Sequence, residues 1–235
     1  MASLPTTGAR RVEPEWLDAL PARDPRAVRS RRDLARVNAL MGNAAIIAGA
    51  LAGKLRYGAR VAEIGAGSGE LLCAVARSRA LRRLGLDLVL VDRQPCVGAS
   101  TWDALAALGM RTHVVGADAM AWLAHPEASA CDAIVANLFL HHFETPALER
   151  LLAFAALRAP LFVACEPRRS GLSLTGASLL GLVGCNDVTR HDAVVSVRAG
   201  FRDGELTSLW PSGPEWRIDE GVRGPFTHRF VARRA

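Results

Sequence analysis

The residues best suited to chemistry fall in one short run, Val61-Ala62-Glu63-Ile64-Gly65-Ala66-Gly67-Ser68-Gly69-Glu70. Three glycines alternate there, after an apolar stretch and before a helical pattern. Glycine lets a backbone turn tightly and approach a ligand closely, and the first N–H groups of a following helix point into the same space. A dinucleotide fingerprint, G-x-G-x-x-G/A, requires a small residue at its sixth position, and this chain has Glu70. A nicotinamide dehydrogenase is further disfavoured because the sole tyrosine, Tyr57, and the sole lysine, Lys54, make no usable catalytic pair.

Two carboxylates follow the glycine loop. Asp92 closes Val89-Leu90-Val91-Asp92, 23 residues past Gly69, where it can accept both hydroxyls of a ribose. A solvated strand end is the alternative. Asp118, in Gly116-Ala117-Asp118-Ala119-Met120, is placed to accept from an adenine amino group or, equally, to cap a helix. His141, His142 and His191 are the candidates for acid–base work, because histidine titrates near neutral pH. Each of them has a packing or capping alternative. The five cysteines lie 20 to 35 residues apart, with no Cys/His pair at ligand spacing, so buried thiols are expected rather than disulfides or a zinc site.

These groups need a scaffold to hold them. From Arg60 onward, short apolar runs alternate with longer helical patterns, the signature of an α/β parallel sheet. Strands are expected at about 60–64, 87–91, 112–115, 131–137 and 161–165, and helices at about 69–83, 97–108, 119–124, 145–158 and 188–199. Residues 204–210 and 227–232 read as a closing pair of strands. Residues 1–58 read as helical, with Gly42-Asn43 a break; Val28, Leu34, Val37, Leu40 and Met41 recur at helical spacing. This divides the chain into a helical lid, 1–58, and a catalytic domain, 59–235.

Half of the 235 residues are hydrophobic and 22% charged, which excludes intrinsic disorder. Of the net charge of +6, residues 1–58 carry +5, from ten basic and five acidic side chains. Nearly all the basic residues are arginine, which looks like coding bias rather than selection for phosphate binding, so no nucleic-acid partner is expected. An acidic partner for the basic N-terminal segment is. The longest uncharged stretches, 39–53 and 171–186, fall short of the roughly 18 apolar residues a membrane span needs. The N-terminus lacks a signal-like apolar run, and a cytoplasmic location is expected.

The run Glu63-x-Gly65-x-Gly67-x-Gly69, the acidic end of strand two, the Asp118-Ala119 pair and a C-terminal β-hairpin together resemble class I S-adenosylmethionine-dependent methyltransferases, over about residues 59–235. The resemblance implies a Rossmann-like seven-stranded sheet with one antiparallel strand. It implies S-adenosyl-L-methionine as cofactor: Glu63 and the Gly65-Ala66-Gly67-Ser68-Gly69 loop at the methionine end, Asp92 with Arg93 at the ribose, Asp118, Ala119 and Met120 at the adenine, and Asn137 and Leu138 beside them. The stretch Ala136-Asn137-Leu138-Phe139-Leu140-His141-His142-Phe143 is similar to the fourth-strand region of enzymes of the quinone-biosynthesis type. Ser30–Asn38 and Val194–Phe201 resemble bacterial methyltransferases of polyketide phenolics.

These resemblances imply methylation of a small-molecule acceptor, most simply at oxygen of an aromatic or polyketide-like compound. C- or N-methylation, or a non-catalytic binding role, are the alternatives. The base would be His142, with His141 and His191 behind it. A metal-dependent catechol site is not expected, since Asn137 has no acidic neighbour before Glu144, and DNA amino-methylation is set aside because no Pro-Pro-aromatic follows Asn137. The uncharged 171–180 stretch suits a pocket wall or plain core, and Arg168 and Arg169 are placed to meet an acidic acceptor or to lie solvated.

Overall fold

A computed structural model describes residues 8–21, 23–125 and 130–235. Seven strands form one sheet: β1 (Arg60–Ile64), β2 (Asp87–Asp92), β3 (Arg111–Gly116), β4 (Ala133–Asn137), β5 (Leu161–Pro167), β6 (Trp216–Arg223) and β7 (Thr227–Arg234). Their order is β3-β2-β1-β4-β5-β7-β6. Strands β1 to β5 run parallel, and β7 is antiparallel to both its neighbours. This is the expected sheet with one reversed strand.

The central strands are buried on both faces, so their side chains divide by parity. Val61, Leu88, Leu90, Val135 and Val163 pack on one face; Ala62, Ile64, Val89, Ile134, Ala136 and Phe162 pack on the other. The helices covering these faces are α3 (Asn43–Leu51), α4 (Glu70–Ala76), α5 (Ala99–Ala107), α6 (Ala119–Ala124), α7 (Thr145–Arg158) and α10 (Glu205–Leu209). The remaining helices are α1 (Trp16–Ala19), α2 (Pro25–Met41), α8 (Gly171–Ser178) and α9 (Asp187–Ala199).

Three expectations about the elements are corrected. Residues 204–210 form α10 rather than a strand: Leu206 and Trp210, four apart, are both buried, and the Glu220 carboxylate accepts the Leu206 and Thr207 N–H groups. The real sixth strand lies in the stretch read as a connection, where Trp216, Ile218 and Glu220 alternate with more exposed neighbours. Helix α4 ends at Ala76, seven residues early.

The N-terminal segment does not pack as a single unit. Asp24 caps α2, Pro25 opens it, and Gly42 stops it at φ +70°. Its buried residues are Ala27, Ser30 and Asp33, not the apolar stripe; Leu40 is 86% exposed. The reason is polar satisfaction: Thr189 of α9 bonds Ser30 (2.9 Å), and Asp33 accepts the Asn186 N–H (2.9 Å). Helix α3, with Ile47 and Leu51 fully buried, belongs to the core.

Within the 171–180 stretch Ser173 and Ala177 are buried, Ala177 and Ser178 line a hollow apart from the glycine loop, and Leu172 and Leu179 are exposed. No single helix among the described residues is long and apolar enough to cross a membrane; α2 and α3 meet that test only jointly, across a 55° bend.

Candidate active site

The glycine loop follows β1 as the sequence requires. Gly65, Gly67 and Gly69 all have positive φ, at 73°, 50° and 69°, a region L side chains rarely enter. The N–H groups of Gly65 and Ala66 both donate to Val91 O (2.9 and 3.1 Å), which ties the turn to β2. A Cβ on Gly65 would collide with the Phe139 ring. The Gly67 N–H donates to Asp92 Oδ2 (2.9 Å) and the Gln94 N–H to Asp92 Oδ1 (2.8 Å). Asp92 is thus fixed at the strand end, with lone pairs left on both oxygens.

A cleft of about 580 Å³ opens beside this loop, along the carboxyl ends of the parallel strands. Gly65, Asp92, Arg93, Asp118, Ala119, Leu138, Phe139 and His142 line it from the sheet side. Asp118 caps α6 by accepting the Ala121 N–H (3.0 Å), and it also lines the cleft. Ala66, Ser68 and Gly69 form the loop behind the lining, and Met120 packs against the core layer. Asn137 is not in the lining; its side chain meets Asn43 of α3 instead.

Glu63 lies buried in β1, just before the loop. Burial pushes its carboxyl up to about 8, the Leu72 N–H only partly offsetting it, and Oε2 has no hydrogen-bond partner. A buried carboxylate oxygen left unpaired is costly unless something supplies a donor.

The tandem histidines occupy different environments. Leu138 is held at φ +50°, and its N–H donates to Cys165 O (2.8 Å). Beyond it the chain turns so that Glu166, at the end of β5, accepts the N–H groups of Phe139 (3.0 Å) and Leu140 (2.9 Å). The same carboxylate takes His141 Nδ1 at 2.8 Å. On the other side, His141 Nε2 faces Glu15 Oε1 at 3.4 Å, and Glu15 also takes the Ser196 hydroxyl. Burial opposes a charge on this ring, but the two carboxylates outweigh it and raise His141 to about 9. His142 stands 4.2 Å away, ring to ring, and lines the cleft. Burial and then the charge on His141 push its value below that of an ordinary histidine. One histidine is held charged, and its neighbour is held neutral.

The far wall of the cleft is a strap formed by Val12, Glu13, Pro14, Glu15 and Asp18, so the roof is acidic rather than the expected apolar face of α2. Burial raises the Asp18 carboxyl. Arg10 anchors the strap, donating through Nη2 to His141 O (3.1 Å) and Phe143 O (2.6 Å) and through Nε to Ala199 O (2.8 Å). Asp192 of α9 accepts the N–H groups of Trp16 (2.8 Å) and Leu17 (3.0 Å).

His191 is drawn into that anchorage. Its ring stacks on Trp16 at 3.8 Å, its Nδ1 meets Asp192, and it lines a separate hollow of about 400 Å³. It is therefore removed from the cleft. Arg169 is likewise buried and bonded to Glu205 and Gly200 O. Among the described residues, Glu15, His141 and His142 bring one metal-ligand atom each within 4.8 Å, but both ring nitrogens of His141 face carboxylates.

Sequence reasoning missed Arg10, Glu15 and Glu166. For Glu166 a signal existed: a glutamate closing a strand otherwise apolar over its length.

No family model and no curated relative matches the sequence. Solved structures do. The plantazolicin methyltransferase BpumL in complex with SAH superposes with a TM-score of 0.62 at 13% identity, over 91% of this chain and 92% of that one. The mitomycin 7-O-methyltransferase MmcR gives 0.58 at 21% identity, over 93% of this chain and 60% of that one. The N,N-8-amino-8-demethyl-D-riboflavin dimethyltransferase RosA from Streptomyces davawensis gives 0.57 at 21%, over 94% and 62%. This chain thus spans nearly all of the first and about three-fifths of the other two. At such identities the likeness is one of architecture, and the chain has the fold of these methyltransferases.

Proposed function

We propose that the protein is an S-adenosylmethionine-dependent methyltransferase acting on a small molecule, most simply at oxygen of an aromatic or polyketide-like acceptor. The observation that carries this reading is the unpaired, buried Oε2 of Glu63 beside a glycine loop whose three glycines all take positive φ and whose first lines the cleft. The ammonium of a bound methionine moiety is the donor that this carboxylate lacks. Asp92 would hold the ribose, Arg93 the same edge, and Asp118 with Ala119 the adenine. The three structural neighbours are methyltransferases by name, and BpumL was solved with SAH, the demethylated form of this donor.

When bound, the cofactor supplies an electrophilic methyl group on a sulfonium. The chain's own part is alignment, exclusion of water and one proton. The glycine loop and Asp92 set the position of the donor; the strap covers it. His142, neutral beside the charged His141, takes the proton from the acceptor, while Glu15 and Glu166 keep the charge on His141. The strap partly closes this environment to solvent. A displacement of this kind needs no metal ion.

Incubating the protein with a metabolite extract and isotopically labelled S-adenosylmethionine tests the reading by mass spectrometry. A labelled small-molecule product is expected. Donor binding with no labelled product would favour a binding protein that keeps the fold, and binding of NAD but not of S-adenosylmethionine would overturn the cofactor.

A further inference from the structure

The strap brings Glu15 against the tandem histidines, and the spacing there is unlike that of a hydrogen bond. His141 Nδ1 meets Glu166 at 2.8 Å, an ordinary charge-assisted bond, whereas His141 Nε2 stands 3.4 Å from Glu15 Oε1. Two ligand atoms on one tetrahedral zinc ion, each roughly 2.0–2.2 Å from it, lie about 3.4 Å apart. His142 supplies a third atom: Glu15, His141 and His142 each bring one ligand atom within 4.8 Å of the others. The His142 ring makes no side-chain hydrogen bond among the described residues and is exposed on the cleft, which Glu15 also lines. An ion entering the cleft therefore reaches this set directly.

The carboxylates on the two sides of His141 then have distinct parts. A metal-bound histidine commonly gives its other ring N–H to a carboxylate, which fixes the ring and leaves the second nitrogen for the ion. Glu166 holds Nδ1 in this way and is itself fixed by the Phe139 and Leu140 N–H groups. Glu15, steadied by the Ser196 hydroxyl, stands beside Nε2 as a second ligand. Two imidazoles and a carboxylate suit zinc and its late first-row neighbours over magnesium or calcium, which prefer oxygen alone. We propose that Glu15, His141 and His142 form a binding site for a divalent transition-metal ion, open to the cleft, and that the bound ion shuts off methyl transfer. The ion takes the Nε2 lone pair of His141, whose proton leaves to solvent. It also takes the lone pair with which His142 accepts a proton from the acceptor. The inhibition rests on the proposed methyl transfer; the ion site does not.

Zn²⁺ alone is the probe. Protein freed of metal by a chelator is titrated with Zn²⁺ by calorimetry, with Mg²⁺ as the comparison ion. One Zn²⁺ per chain is expected to bind at micromolar concentration or below, without competition from Mg²⁺. Glu15→Gln and His142→Gln should each weaken this binding about tenfold or more, since even loss of an outer partner costs a metal site that much. His191→Ala, whose ring pairs with Asp192 away from the cleft, should keep the wild-type affinity. Absence of one-to-one binding, or affinity untouched by both ligand variants, would overturn the site. So would a loss confined to His191→Ala. The two ligand variants lie on different elements, so a folding failure in one, seen by thermal unfolding, leaves the other to decide.

The second measurement is label transfer from S-adenosylmethionine to a metabolite extract stripped of metal. Transfer by the wild type should fall in proportion to Zn²⁺ occupancy and return when chelator is added. Full transfer by the zinc-saturated protein would overturn the inhibition. Metal-free protein that binds Zn²⁺ as described but transfers no label would instead overturn the proposed function and leave the ion site standing.

Discussion

His141 Nδ1 and Glu166 Oε2 lie 2.8 Å apart, and neither side chain reaches solvent to any useful extent. The same glutamate accepts the N–H groups of Phe139 and Leu140, so one carboxylate fixes both the turn after β4 and the ring orientation of its first histidine. Glu166→Gln would aim an amide N–H₂ at some of these donors. Loss of about 3 kcal/mol or more is expected, since breaking a buried charge pair leaves the partner uncompensated. In a chain of this length that lowers the melting temperature by roughly 6 °C or more. Calorimetry showing an unchanged transition would remove Glu166 from this role.

The charge on His141 predicts a pH dependence. Its folded value, about 9, lies above the ordinary 6.5, so its contribution to stability is complete below about pH 6.5 and is lost as pH rises through about 9. Over that window this residue adds a slope of up to about 1.4 kcal/mol per pH unit. Urea unfolding of wild type and His141→Gln should diverge in the lower half of the window and converge above it. Parallel curves throughout would contradict the assignment.

Glu63 predicts the opposite sign for ligand binding. Its carboxyl titrates at about 8, so at neutral pH it is largely protonated and must ionise to receive an ammonium group. SAH binding should therefore release a proton and tighten as pH rises towards about 8. Calorimetry in buffers of different ionisation enthalpy measures that proton. Its persistence in Glu63→Gln would assign it to another group.

The division between the tandem histidines separates their variants. His142→Ala should cost about 10²-fold or more in turnover, with SAH affinity kept, as expected for loss of a general base. In the wild type the acid limb of turnover should fall below the ordinary histidine value, because burial and His141 both disfavour the charged form of His142. His191→Ala, outside the cleft, should leave the chemical step near wild type. Equal losses in His142→Ala and His191→Ala would deny His142 its special position.

What could be read in the sequence follows from where the determining contacts lie. Strands β1 to β5 stand within about two residues of expectation; for β1, β2, β4 and β5 the reason is that a strand buried on both faces is a continuous apolar run. Strand β6 escaped because its polar half is solvated, and α10 because its cap, Glu220, sits 14 residues downstream of Leu206. The glycine loop and Asp92 were legible because residue type alone marks them: glycines where φ is positive, and a carboxylate that ends an apolar run. The tandem histidines were visible as candidates, but nothing nearby separates them. The groups that do so are Glu166, 25 residues away, and Glu15, 126 residues away. The apolar stripe of α2 misled because Ser30 and Asp33 find polar partners on α9, which makes their burial inexpensive.

The strap over the cleft is pinned to α9 from both sides, by Arg10 on Ala199 and by Trp16 and Leu17 on Asp192. A nucleoside-sized molecule beneath it exits along a wall that those bonds hold in place. On the proposed function, the residence time of spent cofactor is then expected to depend on α9, with the first turnover outpacing those that follow. Weakening Asp192 is accordingly a way to speed the steady state without touching the reacting groups.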